Sequence, residues 1–137
     1  MEIVFLKKKD IESYIDLIKN VFGYGAKVED VEKQLKKSKT IIVKEEDKVI
    51  GCATLELKND FIKNKKYYKI DYLAVLPNYR RIGVATKIKE KIDEMCMEND
   101  IDYIELTSGN HRKSAHKFYK KNGFKIKDTS VFIKEYK

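Results

Sequence analysis

The chain has 137 residues, room for one compact domain spanning residues 1–137 and no second core. Apolar residues make up 42% of it and charged residues 38%, which supplies a packed interior under a heavily charged surface and argues against overall disorder. The net charge is +8, a balance that leaves phosphorylated small molecules, acidic proteins and nucleic acid open as partners.

In chain order, residues 2–7 read as a strand, and Asp10 stands as an N-cap before Ile11, Ile15, Ile18 and Phe22 at helical spacing. Gly23-Tyr24-Gly25 breaks that helix, and Val28, Val31 and Leu35 mark a second one. Residues 40–44 and 48–57 predict an antiparallel hairpin around the charged turn Glu45-Glu46-Asp47. A polar loop is expected from Asn59 to Lys66, then a strand from Tyr67 to Leu76 stopped by Pro77. Gly83 opens a long helix carrying Val84, Ile88, Ile92 and Met95 on one face, and residues 101–107 form the next strand. Residues 112–121 read as a helix stopped at Asn122-Gly123, and residues 124–127 and 131–136 as a closing strand pair.

The resulting order βααβββαβαββ predicts an α/β fold of three layers around a mixed, mostly antiparallel sheet. Its one βαβ crossover, from Leu76 through the helix after Gly83 to Ile101, should be right-handed with parallel strands. Ligands of such sheets gather at the strands' carboxyl ends, beside the start of the crossover helix.

No stretch approaches the roughly 20 apolar residues of a spanning helix. The start, MEIVFLKKKD, has neither an apolar run before a small-residue cleavage site nor an arginine-rich leader, so a soluble cytoplasmic protein is expected. Cys52 and Cys96 are the two cysteines, too few for a disulfide framework, and both are expected buried, reduced and inert. His111 and His116 lie five apart, a poor spacing for a shared helical metal site, and no metal is expected.

The position where ligands should gather is filled by Pro77-Asn78-Tyr79-Arg80-Arg81-Ile82-Gly83-Val84-Ala85-Thr86, a turn running into a helix. The amides of Arg81 to Thr86 would point along the helix axis, where the dipole is equivalent to roughly half a positive charge. Gly83 allows a phosphate to approach the backbone, Ala85 keeps the next turn low, and the arginines offer charge-assisted bonds. The run has neither the Gly-Lys-Ser/Thr ending of a triphosphatase loop nor the three glycines of a dinucleotide site. From Arg112 to Lys127 there are seven basic residues and no acid, which implies a second contribution to an anion site.

Leu73-Ala74-Val75, Pro77 and Arg80-x-x-Gly83-x-Ala85 resemble the acetyl-coenzyme A signature Arg/Gln-x-x-Gly-x-Gly/Ala of the GNAT N-acetyltransferases. Arg112-x-x-Ala115-His116-x-Phe118-Tyr119-x-x-x-Gly123-Phe124 resembles that family's later motif, and the two together span essentially the whole chain. The resemblance implies the GNAT fold, in which a bulge splays the two parallel strands and the pantetheine arm of acetyl-CoA lies in the gap. By the same resemblance Leu73, Ala74 and Val75 pair with that arm, and one of their amides faces the thioester carbonyl. The pyrophosphate falls on Arg81, Ile82, Gly83, Val84, Ala85 and Thr86, with Arg80 and Arg112 around the phosphates. Arg112 replaces the asparagine frequent in the family. Tyr119 corresponds to the tyrosine whose hydroxyl donates to the departing sulfur.

The implied activity is transfer of acetyl from acetyl-CoA to a primary amine by direct attack in a ternary complex. A protonated amine must first lose a proton. Strand alternation puts Asp71 on the face of Leu73 and Val75, which makes it the first candidate base, with Glu105, Glu56 or a water chain as alternatives. Gly23-Tyr24-Gly25 and the 59–66 loop are the expected walls of the acceptor site, with Tyr24, Tyr67 and Tyr72 available to line it. The basic surface favours an acidic peptide over a polycation. Monomer and homodimer both stay open. Two other readings remain: an acyl-CoA-binding regulatory module without turnover, and a basic protein that binds RNA by stacking on Phe118, Tyr119 and Phe124.

Overall fold

The computed structural model describes residues 1–137. Its elements are β1 (Glu2–Phe5), α1 (Ile11–Phe22), α2 (Val28–Leu35), β2 (Lys39–Glu45), β3 (Lys48–Asp60), β4 (Lys65–Val75), α3 (Val84–Glu98), β5 (Tyr103–Leu106) and α4 (Lys113–Lys121). They fall into two compact units, Met1–Thr107 and Ser108–Lys137. No helix is long and apolar enough to cross a membrane.

The first unit is a five-stranded sheet in the order β1-β2-β3-β4-β5. Every pair is antiparallel except β4 with β5, which are joined through α3 and run parallel. Alternating apolar residues give the sheet two buried faces. On one, Ile41, Val43, Ile50, Ala53, Leu55 and Ile70 pack against Val84, Ile88 and Ile92 of α3. On the other, Ile42, Val49, Cys52 and Ala74 pack against Ile11, Tyr14 and Leu17 of α1 and Val31 of α2.

Asp10 does precede α1, but its side chain makes no cap hydrogen bond. Its carboxylate instead pairs with the Lys44 ammonium at 2.9 Å, both side chains being only 7% exposed. The bond from Asp10 raises the Lys44 pKa, against the opposing effect of burial. A buried cation would cost more unpaired than a helix start loses without its cap. The Thr40 and Thr54 hydroxyls likewise satisfy each other at 2.9 Å between β2 and β3.

Two sequence expectations are corrected. The loop expected from Asn59 to Lys66 is half strand, since β3 runs to Asp60 and β4 starts at Lys65, leaving a turn of residues 61–64. Polar side chains there hid a hairpin whose turn the Asp60 carboxylate closes by accepting from the amides of Ile62 and Lys63. The closing pair is absent: residues 124–137 form no strand, and Val131, Phe132 and Ile133 are 80%, 94% and 82% exposed. The β-propensity of such a run expresses fit to a neighbouring strand and face, and a hairpin without them is marginal in water.

Candidate active site

The site begins where β4 loses regular pairing. On β3, Cys52 stands opposite Ala74 and Thr54 opposite Asp71, so Tyr72 and Leu73 together face the single residue Ala53. This is a β-bulge, and Tyr72 adopts a left-handed φ of 56° there. On the other side, β4 pairs with β5 only from Tyr67 opposite Tyr103 to Ile70 opposite Leu106. From Asp71 to Val75 the β4 edge toward β5 is therefore open, which is the splay expected from sequence.

Alternation decides which groups face that opening. The Leu76 amide donates to the Ile50 carbonyl at 2.9 Å and Ala74 pairs with Cys52, so the backbone groups of Leu73 and Val75 point the other way. Ala74 is spent on β3. The Val75 carbonyl is also taken, by the Arg80 Nε at 3.0 Å. Arg80 thus braces the end of the open edge with a nitrogen that sequence reading had aimed at phosphate.

Beyond the edge, Pro77–Tyr79 form a single 3-10 turn. Arg81 then takes φ 65° and Gly83 φ 91°, a left-handed turn that no β-branched residue would tolerate at Gly83. Gly83 is the N-cap of α3, and no side chain caps that end. The first intrahelical bond runs from the Lys87 amide to the Gly83 carbonyl. The amides of Val84, Ala85 and Thr86 precede it, so they and the helix dipole are directed at the end of the open edge. An extended ligand with an anionic end fits this arrangement: backbone edge for its length, helix terminus for its charge.

The candidate bases lie elsewhere than alternation implied. Leu73 and Val75 pack with the core under α3, as do Leu55, Ile70, Ile104 and Leu106. Asp71 follows Ile70 and so points to the face of α1. The bulge reverses the parity after it, separating Asp71 from Leu73 and Val75. Glu56 and Glu105 share the α1 face with Asp71, both in register with Lys69, and Glu56 also pairs with Lys58 at 3.8 Å. All three candidate acids thus stand on one face of neighbouring strands.

The α1 terminus does reach the bulge, because the Phe22 ring meets Tyr72 edge-on at 6.1 Å. Tyr24 is exposed. The hairpin of residues 59–66 does not, since it closes the opposite end of β4, about 20 Å along the strand from Asp71 at some 3.3 Å per residue. There Asn59, Asp60, Asn64 and Lys66 line an open depression of about 450 Å³ with Asp100 and Asp102. Tyr67 is at that end too, stacked on Tyr103 at 4.7 Å.

In the second unit Arg112 immediately precedes α4. Tyr119 is half-buried, its ring 6.0 Å from Phe118 and 5.4 Å from Phe124. Burial raises the Tyr119 pKa, with Arg112 pulling it down less, so the hydroxyl is a protonated donor at neutral pH. Lys113, Lys117, Lys120 and Lys121 are on the same short helix, which contains no acid.

Two further residues shape the opening. A Cβ on Gly51 would lie 2.7 Å from Val84 Cγ1 and 3.3 Å from Ile88 Cδ1, so Gly51 lets the first turn of α3 settle on the sheet. A glycine inside a β-run signals such close approach. Cys52, beside it, hydrogen-bonds the Tyr72 carbonyl at the bulge, a role no sequence pattern announces.

Solved acetyltransferases have this fold. A putative acetyltransferase from Agrobacterium tumefaciens superposes with TM-score 0.87 at 17% identity, covering 98% of this chain and 100% of that one. An acetyltransferase from Trypanosoma brucei gives 0.83 at 17% identity over 98% and 99%. An aminoglycoside N-acetyltransferase in complex with CoA gives 0.84 at 17% identity over 98% and 94%. Comparison with curated proteins finds no match. The family model described as Acetyltransferase (GNAT) family matches residues 11–124, and the chain belongs to that family.

Proposed function

We propose that this protein is an N-acetyltransferase that moves acetyl from acetyl-CoA to a primary amine by direct attack, residues 1–137 acting as one domain. The observation that carries the reading is the open β4 edge running into the uncapped start of α3. The backbone of Leu73 and Val75 pairs with the pantetheine arm, and one of their amides donates to the thioester oxygen as negative charge develops on it. The amides from Arg81 to Thr86 hold the pyrophosphate, and Arg81 and Arg112 supply positive charge around it.

The acceptor approaches from the α1 face, past Phe22 and Tyr72. Asp71 takes its proton, directly or through water, and its negative charge suits a cationic amine, while Glu56 and Glu105 on the same face flank Lys69. This reverses the preference for an acidic acceptor drawn from overall charge. The amine nitrogen bonds to the carbonyl carbon, the carbon–sulfur bond breaks, and Tyr119 gives its proton to the departing thiolate. A thiol of pKa about 8.5 needs only modest help to leave. Cys52 supplies no covalent route, because burial pushes its thiol up to about 12.

The test is calorimetry with CoA and desulfo-CoA, followed by thiol release from acetyl-CoA against amines, polyamines and peptides. Micromolar binding of both ligands and release with at least one amine are expected. Absence of heat with either ligand would remove the reading. Binding without release for any acceptor would make the protein an acyl-CoA-binding module.

A further inference from the structure

A β-bulge leaves its extra residue outside the ladder, so something besides strand pairing has to hold the local backbone. At Tyr72 that restraint is a thiol. The Cys52 Sγ–H donates to the Tyr72 carbonyl at 3.1 Å, and the Ala74 backbone amide lies against the same sulfur. One side chain therefore touches the backbone on both sides of Leu73. Cys52 is 0% exposed, packed in the core under α1 with Ala74.

We propose that Cys52 is a positioning residue that latches the β4 bulge and thereby fixes the open edge of Leu73 and Val75 against which acetyl-CoA is aligned. Its consequence for turnover rests on the acetyl-CoA reading above, while its effect on the bulge does not. Strand position alone would favour a β-branched residue here. Valine fills similar volume but offers the part-buried Tyr72 carbonyl no donor, so the contact that ties this carbonyl to β3 is lost. The thiol keeps its proton throughout the neutral range because burial holds it in the neutral form, so the latch is closed whenever the enzyme works.

Cys52→Val and Cys52→Ser separate donation from packing, since the first keeps the bulk and the second keeps the donor. Amide hydrogen exchange on the ligand-free variants reads the bulge directly. Cys52→Val is expected to speed exchange at Ala74 and Leu76 about tenfold, leaving Tyr68 and Ile70 in the paired part of β4 unchanged. With CoA and the best amine, it should raise the acetyl-CoA KM and lower kcat/KM about tenfold, as expected for an edge displaced by a fraction of an ångström. Cys52→Ser should recover most of both losses. Wild-type exchange and wild-type CoA affinity in Cys52→Val would overturn the latch. So would a rise in exchange spread evenly over the sheet, which marks lost packing. If the parent protein itself takes up no CoA, the acetyl-CoA reading fails, and the exchange comparison alone decides the latch.

Discussion

β4 is two strands in one. From Tyr67 to Ile70 it is paired on both sides, antiparallel with β3 and parallel with β5. From Asp71 to Val75 it keeps β3 but has lost β5. Composition does not separate the halves, as both mix aromatic, aliphatic and charged residues. What separates them is one extra residue, which turns the strand, reverses its side-chain parity and leaves its outer backbone groups without a ladder partner. A sheet becomes a binding edge where pairing is interrupted, and the interruption is placed next to a helix terminus that takes charge.

The sharpest way to break this contrast is to spoil the ligand end of the open half without touching the strand. Gly83→Asp places a negative charge among the amides that meet the phosphates, in space where a Cβ finds nothing within 4 Å. Asp tolerates left-handed backbone better than most residues. CoA affinity should fall by about a hundredfold while unfolding free energy changes by only about 1 kcal/mol. Calorimetry and urea denaturation read the two separately, and unchanged affinity would put the phosphates elsewhere.

Next in size is Tyr119→Phe, which leaves both halves of β4 intact. It should lower kcat about tenfold or more with CoA affinity unchanged, as befits a donor used only when sulfur departs. Steady-state kinetics with calorimetry decide this, and an unchanged kcat returns Tyr119 to its ring contacts with Phe118 and Phe124.

Gly51→Ala then probes how the helix is seated over the open half. The added methyl meets the short, stiff Val84 side chain at 2.7 Å, so α3 must lift at its first turn. Overpacking of this kind costs about 1 to 3 kcal/mol, and the displaced amides should weaken CoA binding about fivefold. A stability loss with full CoA affinity would show that the ligand tolerates a lifted helix.

The paired half of β4 was legible in the sequence, and so was the turn at Pro77 to Gly83, because hydrophobic period and turn chemistry are written in single residues. The bulge was not. Reading faces by alternation assumes constant parity, and nothing in Tyr72-Leu73 announces that it slips, which is why Asp71 was placed with Leu73 and Val75. Asp10 does hold the N-cap position of α1, but its side chain serves elsewhere for a related reason: its sequence neighbours describe a helix start, while the partner that claims its carboxylate, Lys44, lies far along the chain. The run 131–136 has β-forming side chains but no paired strand, and propensity is silent about partners. Local chemistry is recoverable from sequence, then, where a residue's nearest competitor is also local.

The smallest effect on binding is expected in the paired half, and it tests whether the division is real. Tyr67 and Tyr103 stack at 4.7 Å with their planes 7° apart, directly opposite in the parallel register. Tyr67→Ala removes the stack and the apolar area of one ring, an expected loss of about 1 to 2 kcal/mol in urea denaturation. The distance from Tyr67 to the bulge is several residues of doubly bonded strand, so the outer edge of Leu73 and Val75 should stay in place. CoA affinity should then remain within about twofold of the parent, since nothing that touches the ligand has moved. If affinity falls together with stability, the strand transmits displacement along its whole length, and the two halves of β4 are one mechanical element despite their different pairing.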